Sequence, residues 1–190
     1  MPMQKTTGYL AGQIIVAMPQ MQDERFARAV VYLCAHNADG AMGIVVNRLM
    51  GGISFPQLLG QLNIPATPAC DDVRIHFGGP VEEGRGFVLH SDDYRQENTL
   101  VVADGVALTA TVDVLRAIAE GNGPRQCLLA LGYAGWDSGQ LDAEIRENSW
   151  LNVPADPELL FGSDMEHKYQ DAIHRLGIDV GLLSAEAGHA

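Results

Sequence analysis

Between residues 126 and 151 the chain reads QCLLALGYAGWDSGQLDAEIRENSWL, and this string constrains the fold more than any other. Residues 126–131 are a short apolar run between Gly123-Pro124 and Gly132, a length and punctuation that predict a buried strand. Gly132 and Gly135 then permit a sharp turn in which the backbone takes positive φ. Asp137 or Ser138 can cap the helix that follows. Asp137-x-x-Gln140 approximates a capping box, and the helix is expected to run to about Asn148.

On that helix, at about 100° per residue, Leu141, Ile145 and Asn148 share one face, with Gln140, Glu144 and Glu147 beside it. Asp142 and Arg146 point away as an i,i+4 pair. A buried Asn148 needs partners, because an unmatched polar group costs roughly 1–3 kcal/mol. Two readings follow. Tyr133, Trp136, Gln140, Glu144 and Asn148 form the floor of a pocket. Alternatively, Gln140 caps its own helix, Asn148 ties down a loop and the tryptophans fill the core, since buried polar groups usually serve the fold.

The rest of the chain alternates short apolar runs with turn signals. Strands are expected at 10–18, 29–34 and 42–46, the last two joined by His36-Asn37-Ala38-Asp39-Gly40 as a hairpin. Ser54-x-x-Gln57 opens a short helix to about Leu62. Further strands are expected at 73–77, 87–90, 100–103 and 106–108, the last two around Asp104-Gly105. Thr111 caps a helix to Glu120 with Val114, Leu115 and Ile118 inward. Residues 154–161 form an element of open type. Asp164 caps a last helix to Leu176, striped by Met165, Tyr169, Ala172 and Ile173 and stopped by Gly177. Early hairpins with scattered helices make the class α+β, and 190 residues without repeat or linker are read as one domain, 1–190.

Net charge is −12, which argues against direct nucleic-acid binding and against anionic membranes. No apolar stretch approaches the roughly 20 residues that span a bilayer. Cys34, Cys70 and Cys127 are odd in number and lack a CxxC. Together with a poor secretion signal at the start, they lead to the expectation of a reducing, cytoplasmic setting.

Other motifs are weaker. Gly78, Gly79, Gly84 and Gly86 match neither GxxxxGK[ST] nor GxGxxG before a helix, so they read as a glycine-rich link between strands. Arg85 within it could hold an anion in its fixed fork. His167, Asp171 and His174 share a helix face, but it lies opposite the apolar stripe. His36, His76, His90 and His189 have no ligand spacing, so no metal or cofactor is expected. There is no GxSxG elbow, and Cys34 and Cys127 lie in apolar runs as inert thiols. Asn47-Arg48 ends a strand, where polar side chains either face a ligand or serve a turn.

Three segments, LAGQIIVAMPQMQDERFARAVVYLCAHNADGAMGIVVNR, HFGGPVEEGRGFVLH and GYAGWDSGQLDAEIRENSWL, with the closing GHA, resemble the YqgE/AlgH family of bacterial proteins in content and order. The matching positions are Arg28, His36, Asn47, Gly78, Gly79, Pro80, Arg85, Gly86, Gly132, Tyr133, Trp136, Gln140, Glu144 and Trp150. Leu49 stands where the family commonly has proline, and Asp142 where it usually has Glu. The resemblance implies an α+β fold with a mostly antiparallel bifurcated sheet, including a small closed barrel, surrounded by helices. It implies a cytosolic protein of undefined biochemical activity, some members being described as regulators of exopolysaccharide (alginate) expression.

Three functions fit these observations. The first is a ligand-binding or indirect regulatory protein with no DNA-reading motif, whose partner is a small anionic ligand or another protein. The second is an enzyme on a small anionic or nucleotide-like substrate, with Glu144 as candidate acid/base, Arg85 as anion anchor, and Asn47, Tyr133, Trp136 and Gln140 around them. The third is an interaction module in which these residues only hold the fold.

Overall fold

The computed structural model describes residues 9–21, 23–103, 105–162 and 164–175. Its elements in chain order are β1 (Gln13–Ala17), β2 (Val30–Asn37), β3 (Gly40–Val45), α1 (Phe55–Gln61), β4 (Ile75–Phe77), β5 (Val81–Ser91), β6 (Leu100–Ala103), β7 (Val106–Thr109), α2 (Val112–Ala119), β8 (Cys127–Asp137), α3 (Gln140–Arg146), β9 (Trp150–Pro154), α4 (Pro157–Phe161) and α5 (Met165–His174). The strands form one sheet in the order β6-β7-β5-β8-β3-β2-β1-β9, antiparallel throughout, with β4 added parallel to β8. The expected closed barrel is not formed. The hydrogen-bonded path ends at β6 on one side and β9 on the other, so the sheet curls without closing.

Apolar runs rather than alternating ones build this sheet because both of its faces are covered. In β1, Ile14 and Val16 enter a core that lines the inside of the curl, while Ile15 and Ala17 enter a second core on the outside. Val30 and Tyr32 against Val31 and Leu33 repeat the division in β2. The inner core is completed by Phe87 and Leu89 from β5, Leu128 and Ala130 from β8, and Leu159, Leu160, Tyr169 and Ile173 from α4 and α5. A third core packs α1 and α2 against Ile75, Val88 and Leu129.

Strand β8 is where the sheet forks. Its residues 129–131 pair with β4 on one edge and β5 on the other, and its residues 134–137 pair with β3. The link from β4 to β5 therefore crosses over β8, and glycines permit the crossing. A Cβ on Gly78 would lie 2.4 Å from the Gly132 oxygen, and one on Gly79 would lie 2.1 Å from the Tyr133 carbonyl carbon. A Cβ on Gly132, where φ is +80°, would meet the Gly79 oxygen at 2.3 Å. Gly78 N–H donates to the Leu131 carbonyl and the Gly78 carbonyl accepts from Val45 N–H, both at 2.8 Å, so the crossing is bonded to both halves of the fork. These glycines are contact residues between backbones and form no phosphate loop.

Gly132 also shifts the phase of β8. Before it, even-numbered Leu128 and Ala130 face the inner core. After it, Tyr133 packs toward the inner core and Ala134 and Trp136 enter the outer one. A one-residue slip of this kind sends every following side chain to the other face.

Several expectations need correction. The strand expected to stop at residue 131 continues to Asp137, because β3 pairs with the segment after Gly132. The strand expected at 87–90 starts at Val81, absorbing Glu82-Glu83-Gly84-Arg85 in an irregular stretch before Gly86. Strand β9 was not anticipated, as polar Asn152 interrupts its short apolar run. Helix α3 is shorter than expected. Gly139, at φ +74°, occupies the N-cap in place of Asp137 or Ser138, and Asn148 lies beyond the helix at φ +63°. Thr111 stands at the N-cap of α2 without a side-chain cap bond.

The Ser54–Gln57 capping box forms with both of its bonds, Asp164 caps α5, and residues 157–161 of the segment of open type are helical. Leu176, Gly177, His189 and the closing GHA lie outside the described residues.

The crossing makes a direct prediction. Gly79→Ala should lower unfolding free energy in urea by about 3 kcal/mol or more, through overpacking of backbone on backbone. Gly84→Ala, facing open space, should change it by no more than about 0.5 kcal/mol.

Candidate functional site

Because Trp136 is turned to the outer core, it meets Trp150 at the start of β9 and Phe26 from the connector between β1 and β2. Their ring centroids lie 5.8 Å apart for the two indoles, at 80°, and 6.2 Å for Phe26 and Trp136, nearly parallel at 23°. Burying two indoles leaves two N–H donors to satisfy. Both are satisfied by one atom. Glu144 Oε1 accepts from Trp136 Nε1 at 3.0 Å and from Trp150 Nε1 at 2.9 Å. One turn earlier on α3, Gln140 donates from Nε2 to Glu144 Oε2 at 3.0 Å, and its Oε1 accepts from Asp137 N–H at 2.9 Å. Helical i,i+4 spacing puts Gln140 beside Glu144, and the kinked strand aims Trp136 at both.

Above this floor lies a cleft of ≈ 470 Å³, walled by Met21, Phe26, Pro80 and Val81 and rimmed by Gln20, Asp23, Arg25, Gln140 and Glu147. Arg25 is already engaged. Its Nε and Nη2 meet Asp23 Oδ1 and Oδ2 at 3.0 and 2.7 Å, and this hydrogen-bonded pairing holds the Asp23 carboxyl below its ordinary range and raises Arg25. A second groove, of ≈ 660 Å³, runs on from it along Asn37, Asp39, Met42, Arg85, Phe87 and Tyr133. Val81, Gly135 and Trp136 line both. Arg85 stacks over Phe87 at 5.1 Å and lies 3.8 Å from Glu82. Burial, aided by a hydrogen bond with Glu82, raises the Tyr133 hydroxyl above its ordinary range.

The structure thus gathers five of the seven expected site residues along one groove: Trp136, Gln140 and Glu144 at one end, Arg85 and Tyr133 at the other. It does not bring in Asn47 or Asn148. Asn47 Oδ1 accepts from Val30 N–H and its Nδ2 donates to the Arg28 carbonyl, both at 2.9 Å, which staples the turn where Arg28 takes φ +58°. Arg48 donates to the carbonyls of Arg25 and Ala27 in the same turn. These two residues fix the loop that delivers Phe26. Asn148 is exposed, ends α3 in a left-handed conformation and presents its carbonyl to Gln20 Nε2 at 3.2 Å. The expectation of a buried Asn148 fails because the helix ends two residues sooner. Asp142 does not turn to Arg146 either. Its Oδ1 lies 3.1 Å from Nε2 of buried His36, whose Nδ1 accepts from Leu10 N–H. Phe26 and Val81 were not among the expected site residues, since Phe26 lies in a connector and Val81 begins β5 ahead of an irregular stretch.

Burial pushes the thiols of Cys34 and Cys127 up to about 12 and about 11, so neither is a thiolate at neutral pH. His167 pairs with Asp164 at 2.9 Å, which raises the imidazole.

The parts described so far make an α+β domain whose forked sheet carries an aromatic-floored groove braced by one carboxylate. The family model described as AlgH-like (DUF179) matches residues 14–181, and the chain belongs to that family. A UPF0301 protein of Rhodospirillum rubrum is 61% identical over 188 residues, spanning 99% of this chain and 98% of its own length. A UPF0301 protein of Afipia carboxidovorans is 59% identical over 192 residues, spanning 97% and 91%. The solution structure of the AlgH protein from Pseudomonas aeruginosa superposes with a TM-score of 0.80 at 43% identity, covering 100% of both chains. A crystal structure of protein DIP2367 from Corynebacterium diphtheriae shares the fold, with a TM-score of 0.74 at 22% identity over 96% of this chain and 94% of its own.

One prediction concerns the brace under the tryptophans. Glu144→Ala leaves two indole donors unmatched and should cost about 2–4 kcal/mol in urea unfolding followed by tryptophan fluorescence. Glu144→Gln, which keeps an acceptor oxygen, should cost less than half as much.

Away from the groove, His76 on β4 is held down to about 4 by burial, with Lys168 and Arg74 adding to the effect. The unfolded imidazole titrates near 6.5, so between that pH and about 4 the unfolded chain binds a proton that the folded one refuses. Stability should therefore fall as pH drops through that window, by about 3 kcal/mol from this group. In His76→Gln that component of the pH profile should vanish.

Proposed function

We propose that the protein is a binding module that works by occupancy, its groove over Trp136 receiving a short segment of a partner protein that carries basic or amide side chains. The observation that carries this reading is the commitment of Glu144. Both of its oxygens are taken by N–H donors, so it braces the floor and is not free to shuttle a proton. The enzyme reading needed Glu144 and Arg85 on one substrate, and they stand at opposite ends of the groove.

Charge supports the choice of ligand. Asp23, Glu144 and Glu147 oppose Arg25 in one cleft, and Asp39 and Asp137 oppose Arg85 in the other. An anionic ligand, the alternative partner, would meet a net negative lining. Aromatic and methionine walls beneath a polar rim are common to protein-binding surfaces. With a net charge of −12, any effect on gene expression runs through that partner and not through DNA. The reading places the protein in the cytoplasm. No helix among the described residues is long and apolar enough to cross a membrane.

Tryptophan fluorescence titrations with basic, neutral and acidic peptide pools test it. Basic peptides should bind in a salt-dependent way, and the double substitution Asp39→Lys/Glu147→Lys, at two exposed rim positions, should weaken them about tenfold, or about 1.4 kcal/mol. Preference for acidic peptides or for nucleotides at this groove would sink the proposal.

A further inference from the structure

Strand β8 has a stretch of edge that no strand covers. On the side away from β3, β5 pairs with residues 127–131 and once more through Val81 with Tyr133. There the chain turns off across β8 at Gly79. Residues 134–137 keep β3 on one side and have no strand on the other among the described residues.

The backbone of Gly135 points into this gap. On β3, Val45 N–H donates toward the fork, to the Gly78 carbonyl, whereas Val46 N–H donates to the Val30 carbonyl of β2. Peptide groups alternate sides along a strand. Ala41 and Gly43 therefore bond to β8, opposite Trp136 and Ala134, while Met42 turns to β2. Gly135, opposite Met42, directs both its N–H and its C=O away from β3. Asp137, two residues on, behaves the same way, for its N–H donates to Gln140 Oε1 and not to β3. Gly135 is exposed, and no described residue bonds to it on the open side.

The two clefts lie on the two faces of this edge. The one of ≈ 470 Å³ is floored by Phe26, Trp136 and Trp150 of the outer core, and the one of ≈ 660 Å³ is walled by Met42, Phe87 and Tyr133 beside the inner core. Val81, Gly135 and Trp136 line both because they are the edge between them. An extended segment laid along the edge sends successive side chains to opposite faces, so alternate ones enter the two clefts. Their chemistry differs. Asp23, Glu144 and Glu147 outnumber Arg25 in the outer cleft, while the inner one offers its aromatic and methionine wall.

We propose that the partner segment binds as an added strand on the open edge of β8, hydrogen-bonded to Gly135 N–H and C=O, with basic side chains in the outer cleft alternating with apolar ones in the inner. This rests on the peptide reading above and goes beyond it by fixing the conformation and the sequence pattern of the segment. Main-chain bonds supply affinity and the alternate pockets supply specificity.

The edge is tested first without any ligand, by amide hydrogen exchange of the full chain followed by NMR. The Gly135 amide should exchange at least about 100-fold faster than those of Ala134 and Trp136, which bond to β3. Protection of Gly135 equal to theirs would overturn the proposal whatever binds in the groove.

The probe is the peptide acetyl-Lys-Val-Lys-Val-Lys-amide. At saturation it should slow Gly135 exchange at least about tenfold. The isomer acetyl-Lys-Lys-Lys-Val-Val-amide has the same charge and composition without the alternation, and should bind about tenfold more weakly. N-methylation of both valines removes the donors from one edge of the extended peptide, and N-methylation of the central lysine removes one from the other edge. One of these changes should weaken binding at least about tenfold and the other less than about threefold. Equal binding of the two isomers, or equal tolerance of the two methylation patterns, would overturn the added strand and leave a site for basic segments at Trp136 standing. Failure of every basic peptide to bind, these included, would remove the peptide reading and this one with it.

Discussion

The contact between Gly78-Gly79 and Gly132-Tyr133 governs the molecule. Two backbones cross there at a distance that leaves no room for a single Cβ. The crossing carries the chain from one edge of β8 to the other, which lets β4 and β5 flank the first half of the strand and leaves its second half to β3. The fork, the curl and the separation of inner from outer core all descend from that contact. So does the groove, because the bulge at Gly132 puts Trp136 on the outside of the curl, where Phe26, Trp150 and Glu144 can collect around it.

Much of this was legible in the residues. Ser54-x-x-Gln57, the hairpin at 37–40, the inward stripe of α2 and the cap at Asp164 are local signals read locally, and the structure reproduces them. The pairing of Gln140 and Glu144 was visible as helical spacing. What escaped depended on distant segments. A glycine inside a strand and a glycine ending one look alike in sequence, and only the pairing of β3 with residues 134–137 decides between them. Asn47 and Asn148 looked like site residues because they are polar and stand at element ends. The backbone groups that Asn47 satisfies come from residues 28 and 30, far from it in sequence, and Asn148 terminates a helix whose length no periodicity could set.

The fold also separates charge by location. Acidic side chains gather around the aromatic floor on one side of β8, while Arg74, Arg125 and Lys168 stand near the buried imidazole of His76 on the other. Clefts of opposite charge thus stand beside the two halves of one strand, one along residues 127–129 and the other along residues 135–136.

The pairing of β1 with β9 has a consequence for how the chain is made. Ile14 lies opposite Val153 and Ile15 opposite Asn152, so one edge of the first strand has no neighbour until most of the polypeptide has left the ribosome. Until then Ile14-Ile15-Val16, fully buried at the end, presents open hydrogen-bonding groups and apolar side chains to the cell. The sheet is therefore completed late in synthesis, when Trp150–Pro154 emerges to cover the open edge of the first strand.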